Sequence, residues 1–181
     1  MAHGLAVSTA FALEGDRTVL VHEDEATAPA PRRAGRADLP RLIGLWIALT
    51  RHHETLDPAF ALRPGAESEI RGILEAQLRD ADTAIWLLGE GEAEAFAIAH
   101  ISRAPPIHPE SCRAEITDLY VVPAARRRGW GRALVSVATE WAAERDAERV
   151  EVRVVTQNRA ARAFWESVGF GAHVDVLHRR M

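Results

Sequence analysis

From Asp38 onward the apolar residues fall three and four apart: Leu39, Leu42, Ile43, Trp46 and Leu49 recur on one face, with Asp38 in position to cap and Pro40 in the first turn. This predicts an amphipathic helix ending near Thr50. After the loop RHHETLDPAFALRPG, the spacing of Ile70, Ile73, Leu74 and Leu78 predicts a second helix. The period then changes. TAIWLL (83–88) and EAFAIAHI (94–101), joined by the turn-forming GEGEA, read as a hairpin. AEITDLYVV (114–122) reads as a strand stopped by Pro123. A glycine-rich turn then opens a helix with Leu134, Val137, Ala138 and Trp141 on one side. VEVRVV (150–155) predicts a strand, residues 159–168 a helix, and GFGAHVDVL (169–177) a last strand. Helices, hairpin, then strand–helix–strand–helix–strand make a mixed α/β sheet with helices on its faces.

Composition bounds this picture without changing it. The chain has 181 residues, 48% of them hydrophobic and 27% charged, which fits one domain with a core of its own. The single cysteine, Cys112, can form neither an internal disulfide nor a four-cysteine zinc site, and a reducing compartment, the cytoplasm, is expected. No apolar run is long enough to span a membrane, and the first residues lack the pattern of a signal peptide. The first 32 residues differ from the rest. LAVSTAFAL and TVLVHE flank EGDR and precede the Ala/Pro-rich EDEATAPAP, so residues 1–32 read as a small hairpin plus linker or as an untethered extension, and residues 33–181 as the domain.

All 22 basic residues are arginine. The net charge of −4 divides unevenly: residues 1–120 carry 11 arginines against 19 acids, and residues 121–181 carry 11 against 7. The overall sign excludes nonspecific nucleic-acid binding, and an anionic ligand is drawn to the C-terminal third.

That third holds the most informative stretch, YVVPAARRRGWGRALVSVATEW, in which a strand passes through an Arg/Gly turn into a helix. Gly129 and Gly131 permit a tight turn, so that N–H groups at the helix start, aided by its dipole, can converge on phosphate oxygens. Arg126, Arg127, Arg128 and Arg132 add positive charge. No lysine followed by Ser or Thr closes a Walker A loop, and only two of the three glycines of a dinucleotide fingerprint are present.

Arg126, Gly129 and Gly131 match the Q/R-x-x-G-x-G/A acetyl-CoA pyrophosphate loop of the GNAT-type N-acetyltransferases, and NRAARAFWESVGF (158–170) resembles that family's N-x-x-A-x-x-F/L-Y-x-x-x-G-F segment. The resemblance covers about residues 30–178. It implies an α/β fold with a splayed central sheet whose strands 114–122 and 150–155 diverge to admit pantetheine. Backbone groups of Leu119, Val121 and Val122 would then face pantetheine, and amides from Arg127 through Ala133, including Arg128, Trp130 and Arg132, would face the pyrophosphate. Asn158 would either bond the cofactor arm or cap the next helix. Ala161 and Phe164 would line the arm or pack in the core.

The activity implied is acetyl transfer from acetyl-CoA to a primary amine, with no metal; family members often form homodimers. A non-catalytic acyl-CoA-binding module is the alternative. Attack requires a neutral amine and therefore a base. Glu115, eleven residues before Arg126, is the first candidate, and Asp118 the second. Strict alternation puts them on opposite faces unless a bulge intervenes. Trp165 stands where many family members carry a tyrosine acid; Tyr120, the chain's one tyrosine, reads as a core or surface ring or as the candidate proton donor, and unassisted departure of the thiolate, protonated by water, is the other route. His52 and His53 match no metal-ligand spacing and read as plain surface residues or as part of a loop near the acceptor mouth. The charge division reads either as acids on solvated helix surfaces or as the mark of a cationic amine acceptor.

Overall fold

The structure, a computed structural model, describes residues 29–91, 93–105, 107, 110–177 and 179. Of the hairpin or extension expected over residues 1–32, residues 1–28 lie outside the described residues, and Arg32 belongs to the sheet. Among the described residues the sheet has five strands in the order β1 (Arg32–Arg33), β2 (Thr83–Glu90), β3 (Ala93–Arg103), β4 (Cys112–Val121) and β5 (Arg149–Val152). Neighbours are antiparallel except β4 and β5, which run parallel. Helices α1 (Leu39–Leu56) and α2 (Glu67–Arg79) cover one face; α3 (Trp130–Ala143) and α4 (Arg159–Ser167) cover the other.

The period-two alternation of β2 and β3 sorts their side chains between two cores. Ile85, Leu87, Phe96 and Ile98 meet Leu42, Ile43, Leu49, Ile70 and Leu74 from α1 and α2. Trp86, Ala97, Ala99 and Ile101 meet Leu134, Ala138 and Trp141 of α3 and Trp165 of α4. The alanines of β3 leave room for those indoles, and Trp86 meets Trp141 edge-on with centroids 5.6 Å apart. Among the described residues no helix is long and apolar enough to cross a membrane.

Three local expectations are corrected. Helix α1 does not end near Thr50 but continues to Leu56. Its last turns are polar, and polarity alone does not stop a helix. The stop comes from Pro58, which forces Asp57 into extended backbone. Second, the strand expected over 150–155 is paired only through Val152. Third, residues 169–177 form no strand: Val174, Val176 and Leu177 are exposed. Alternation makes a strand possible, but only a neighbouring strand with free backbone groups makes it real.

Asp38 also departs from its expected role. Its carboxylate makes no side-chain cap on α1. Instead it accepts hydrogen bonds from Arg32 Nη1 and Nη2 at 2.8 and 2.6 Å and from the Gly35 amide at 2.9 Å, tying β1 to the start of α1. The Arg32 guanidinium, more than the Gly35 amide, pulls its pKa down to about 2. A depressed carboxylate pKa stabilises the fold above the unfolded-state value and loses that contribution as pH falls through the folded one. Asp38→Asn should therefore lower stability at neutral pH by about 1–2 kcal/mol, modest because Arg32 is half-exposed. Urea midpoints for the two proteins should converge as pH falls from about 4 to about 2.

Candidate functional site

The site begins with one extra residue in β4. Ile98 of β3 faces Asp118 and the next residue, Ala99, faces Ile116, so Thr117 is a bulge. The bulge turns Asp118 to the face that carries Glu115, since their partners Ile98 and His100 lie two apart on β3. The carboxylates thus share the α1/α2 face of the sheet. Pairing of β4 with β5 also stops here, at Ile116 and Val152. The strands part, and a cleft of about 790 Å³ opens between them.

The backbone of β4 beyond the bulge is directed by alternation. The Val122 amide donates to the Glu94 carbonyl at 3.0 Å, toward β3. Val122 therefore turns away from the expected pantetheine contacts, whereas alternation turns the Leu119 backbone groups and the Val121 amide toward the gap, the Val121 carbonyl being held by Arg126 Nε. Leu119, Tyr120 and Val121 line the cleft on one side and Val152–Val155 on the other.

At the end of the cleft, a single 3₁₀ turn at Pro123–Ala125 leads to Arg127 and Gly129, both left-handed with φ of 67° and 78°, directly before α3. Left-handed residues ahead of a helix N-terminus make an anion-binding nest, and the first amides of α3 have no acceptor within the helix. That run is shorter than expected, because the Ala133 amide donates to the Gly129 carbonyl at 3.0 Å. Arg126, Arg127, Gly129, Trp130, Gly131 and Arg132 line the cleft; Arg128 and Ala133 do not. Two arginines brace its walls: Arg126 Nε donates to the Val121 carbonyl at 3.1 Å and Arg132 Nη2 to that of Ser167 at 3.2 Å. Gly131 has a further reason to lack a side chain, since a Cβ there would stand 3.1 Å from the Phe164 ring. Asn158 lines the cleft and caps α4, its Oδ1 accepting from the Ala161 amide at 2.9 Å. Trp165 is a core ring, edge-on to Phe164 and Phe170.

At the other end, the extended α1 brings Leu49, His52 and His53 to the cleft wall beside Asp118. Asp118 Oδ1 accepts from Trp46 Nε1 at 2.9 Å and Oδ2 from Thr117 Oγ1 at 2.8 Å. Enclosure by protein pushes its pKa above the ordinary carboxylate value, Glu115 adds to the rise, and the Thr117 and Trp46 hydrogen bonds oppose it. Glu115 is differently placed: Arg153 Nε lies 3.1 Å from its Oε1, and it does not line the cleft. Burial, and then His52, push the His53 pKa down, with the Phe60 ring 5.4 Å away.

Trp46 and the helical setting of His53 are what the sequence reading missed. Trp46, Leu49 and His53 follow one another at i, i+3 and i+7, which puts them on one face once α1 is carried past Thr50. Among the described residues, no group of three or more His, Cys, Asp or Glu is placed to hold a metal ion.

A family model described as the acetyltransferase (GNAT) family matches residues 46–170. A mycothiol acetyltransferase from Beutenbergia cavernae is 30% identical over 131 residues, covering 69% of this chain and 40% of that protein. The chain spans about two fifths of the length of the curated relatives it matches. The fold is that of the BH1408 protein from Bacillus halodurans, solved as a tetramutant, with a TM-score of 0.72, 17% identity and coverage of 83% of this chain and 99% of that one. Aminoglycoside N-acetyltransferase AAC(6')-Iy, solved with CoA, superposes with a TM-score of 0.66 at 18% identity, covering 83% of this chain and 93% of that one.

Proposed function

We propose that this chain, which belongs to the acetyltransferase (GNAT) family, is an acetyl-CoA-dependent N-acetyltransferase in which Asp118 takes the proton from a primary amine. The observation that carries this reading is one continuous cleft with an anion nest at Gly129 and an enclosed carboxylate at Asp118. CoA is a polyanion with an extended amide-bearing arm. The amides at the start of α3 suit its pyrophosphate, and the backbone of Leu119 with the Val121 amide suits the arm.

The acceptor amine enters from the α1 side, between Asp118 and the two histidines. There Asp118 attracts the ammonium form and removes its proton, and the neutral nitrogen attacks the thioester carbonyl. As the bond to sulfur breaks, CoA leaves as a thiolate and the nitrogen gives up its second proton to the solvent, leaving the amide. A thiol is a far stronger acid than an amine, so departure needs little help, and Tyr120 in the same cleft is the protein's candidate donor. Asp118 is favoured over Glu115 because Asp118 lines the cleft, whereas Glu115 does not and is paired with Arg153.

A cationic acceptor is supported by the two carboxylates on one face and by the excess of acids over arginines in residues 1–120. Thiol release from acetyl-CoA is the test, run with spermidine, an aminoglycoside, a neutral primary amine and glutamate. The polycations should give the highest kcat/KM, and added salt should shrink their advantage as screening shortens the field. Glutamate as the best acceptor contradicts the cationic site. Tight CoA binding without turnover on any amine contradicts the enzyme.

A further inference from the structure

The buried face of α1 carries one polar contact to the sheet's reactive strand. Most residues of that face, such as Leu42, Ile43, Leu45 and Leu49, are aliphatic and pack on β2, β3 and α2. Trp46 differs, because its indole N–H reaches Asp118 Oδ1 at 2.9 Å. Indole is a donor that neither accepts nor titrates. Its hydrogen bond therefore improves when Asp118 is ionised and weakens when the carboxyl is protonated. Thr117 differs in kind, since its hydroxyl can reverse and accept from a protonated carboxyl.

We propose that Trp46 is a positioning residue for the base: its indole fixes the orientation of the Asp118 carboxylate, stabilises its ionised form, and so sets the lowest pH at which the acceptor amine is activated. This rests on the assignment of Asp118 as the base. Two of the carboxylate's acceptor directions are taken, one by Trp46 and one by Thr117 Oγ1 at 2.8 Å, and the others are left to the incoming amine.

The charged and titratable surroundings come from each packed element. On β4 they are Glu115, whose charge opposes ionisation, and Tyr120. On β3, Asp118 itself faces apolar Ile98, while His100, opposite Glu115, meets Thr83 Oγ1 at 3.1 Å. On α1 they are His52 and His53, at the same cleft. Arg153, past the end of β5, is paired with Glu115. Trp46 is the one uncharged donor that α1 extends to this carboxylate, so it separates cleanly from these charges by mutation.

The test is a titration of the Asp118 side-chain carbon by NMR in aspartate-labelled protein, the resonance being identified by its loss in Asp118→Asn. In Trp46→Phe the midpoint should rise by about one pH unit, the size expected for losing one hydrogen bond to a charged group. The acidic limb of kcat/KM for spermidine should move up by the same interval, with CoA affinity unchanged. Trp46→3-benzothienylalanine keeps the bicyclic shape without the N–H and should reproduce both shifts, which covers the case of a poorly folded phenylalanine variant. An unchanged midpoint in these variants overturns the inference, while the loss of rate in Asp118→Asn still upholds the base. Full activity of Asp118→Asn removes the base, and the role of Trp46 with it.

Discussion

Asp118→Asn is expected to lower kcat for acetyl transfer by about 10²–10⁴-fold, the usual contribution of a general base, while CoA affinity stays near that of the wild type. Asparagine keeps the shape and can still accept from Trp46 Nε1, so the fold and the nest are undisturbed; what is lost is the ability to take a proton. The pH profile gives a second reading of the same group. A base must be ionised to act, so activity falls as pH drops through the Asp118 pKa. Enclosure by protein and the nearby Glu115 raise that value, so the limb should lie above the ordinary carboxylate range and vanish in the variant. Glu115→Gln should cost less, because that carboxylate does not line the cleft and is paired with Arg153. A near wild-type rate for Asp118→Asn across the profile, with a large loss in Glu115→Gln, would reverse the assignment.

Gly129→Val should raise the dissociation constant for CoA at least about tenfold, and isothermal titration measures it directly. The reason is conformational. A Cβ at Gly129 would meet nothing within 4 Å, but φ is 78°, a region that a β-branched residue adopts only at a cost of about 1–2 kcal/mol. The chain relieves that strain by turning the peptide before α3, which carries the amides away from a common focus. Gly131→Ala perturbs the same loop by another route, pressing on the Phe164 ring at 3.1 Å. Arg126→Ala should weaken binding less, since its Nε is turned back onto the Val121 carbonyl and backbone donors make up most of the nest. A folded Gly129→Val protein with wild-type affinity would remove the nest from the account.

Most of the fold was legible because burial writes its period into the chain. Leu42, Ile43 and Leu49 marked α1, Leu134, Ala138 and Trp141 marked α3, and the alternation in TAIWLL and EAFAIAHI marked the hairpin of β2 and β3. The failures share a cause: a property of one segment was asked to report what another segment does. Among the described residues the alternation in GFGAHVDVL meets no strand to pair with, and VEVRVV loses its partner where Thr117 bulges. The polar RHHETL hid the end of α1 because only Pro58 marks it.

The site divides the same way. The turn at Gly129 was legible because backbone conformation selects glycine locally. The choice between Glu115 and Asp118 was not, since it depends on a bulge in β4 and on two side chains far along the chain, Trp46 and Arg153. The sequence allowed for a bulge without fixing its position. The structure puts it at Thr117, which brings both carboxylates to one face and leaves Asp118 alone of the two at the cleft.

The decisive measurement is a crystal structure of the chain with CoA bound. In it the pyrophosphate should accept hydrogen bonds from the amides of Trp130, Gly131 and Arg132, the pantetheine arm should lie between Leu119–Val121 and Val152–Val155, and the sulfur should emerge beside Asp118. CoA bound outside this cleft, or lying in it with its sulfur remote from Asp118, would contradict this placement.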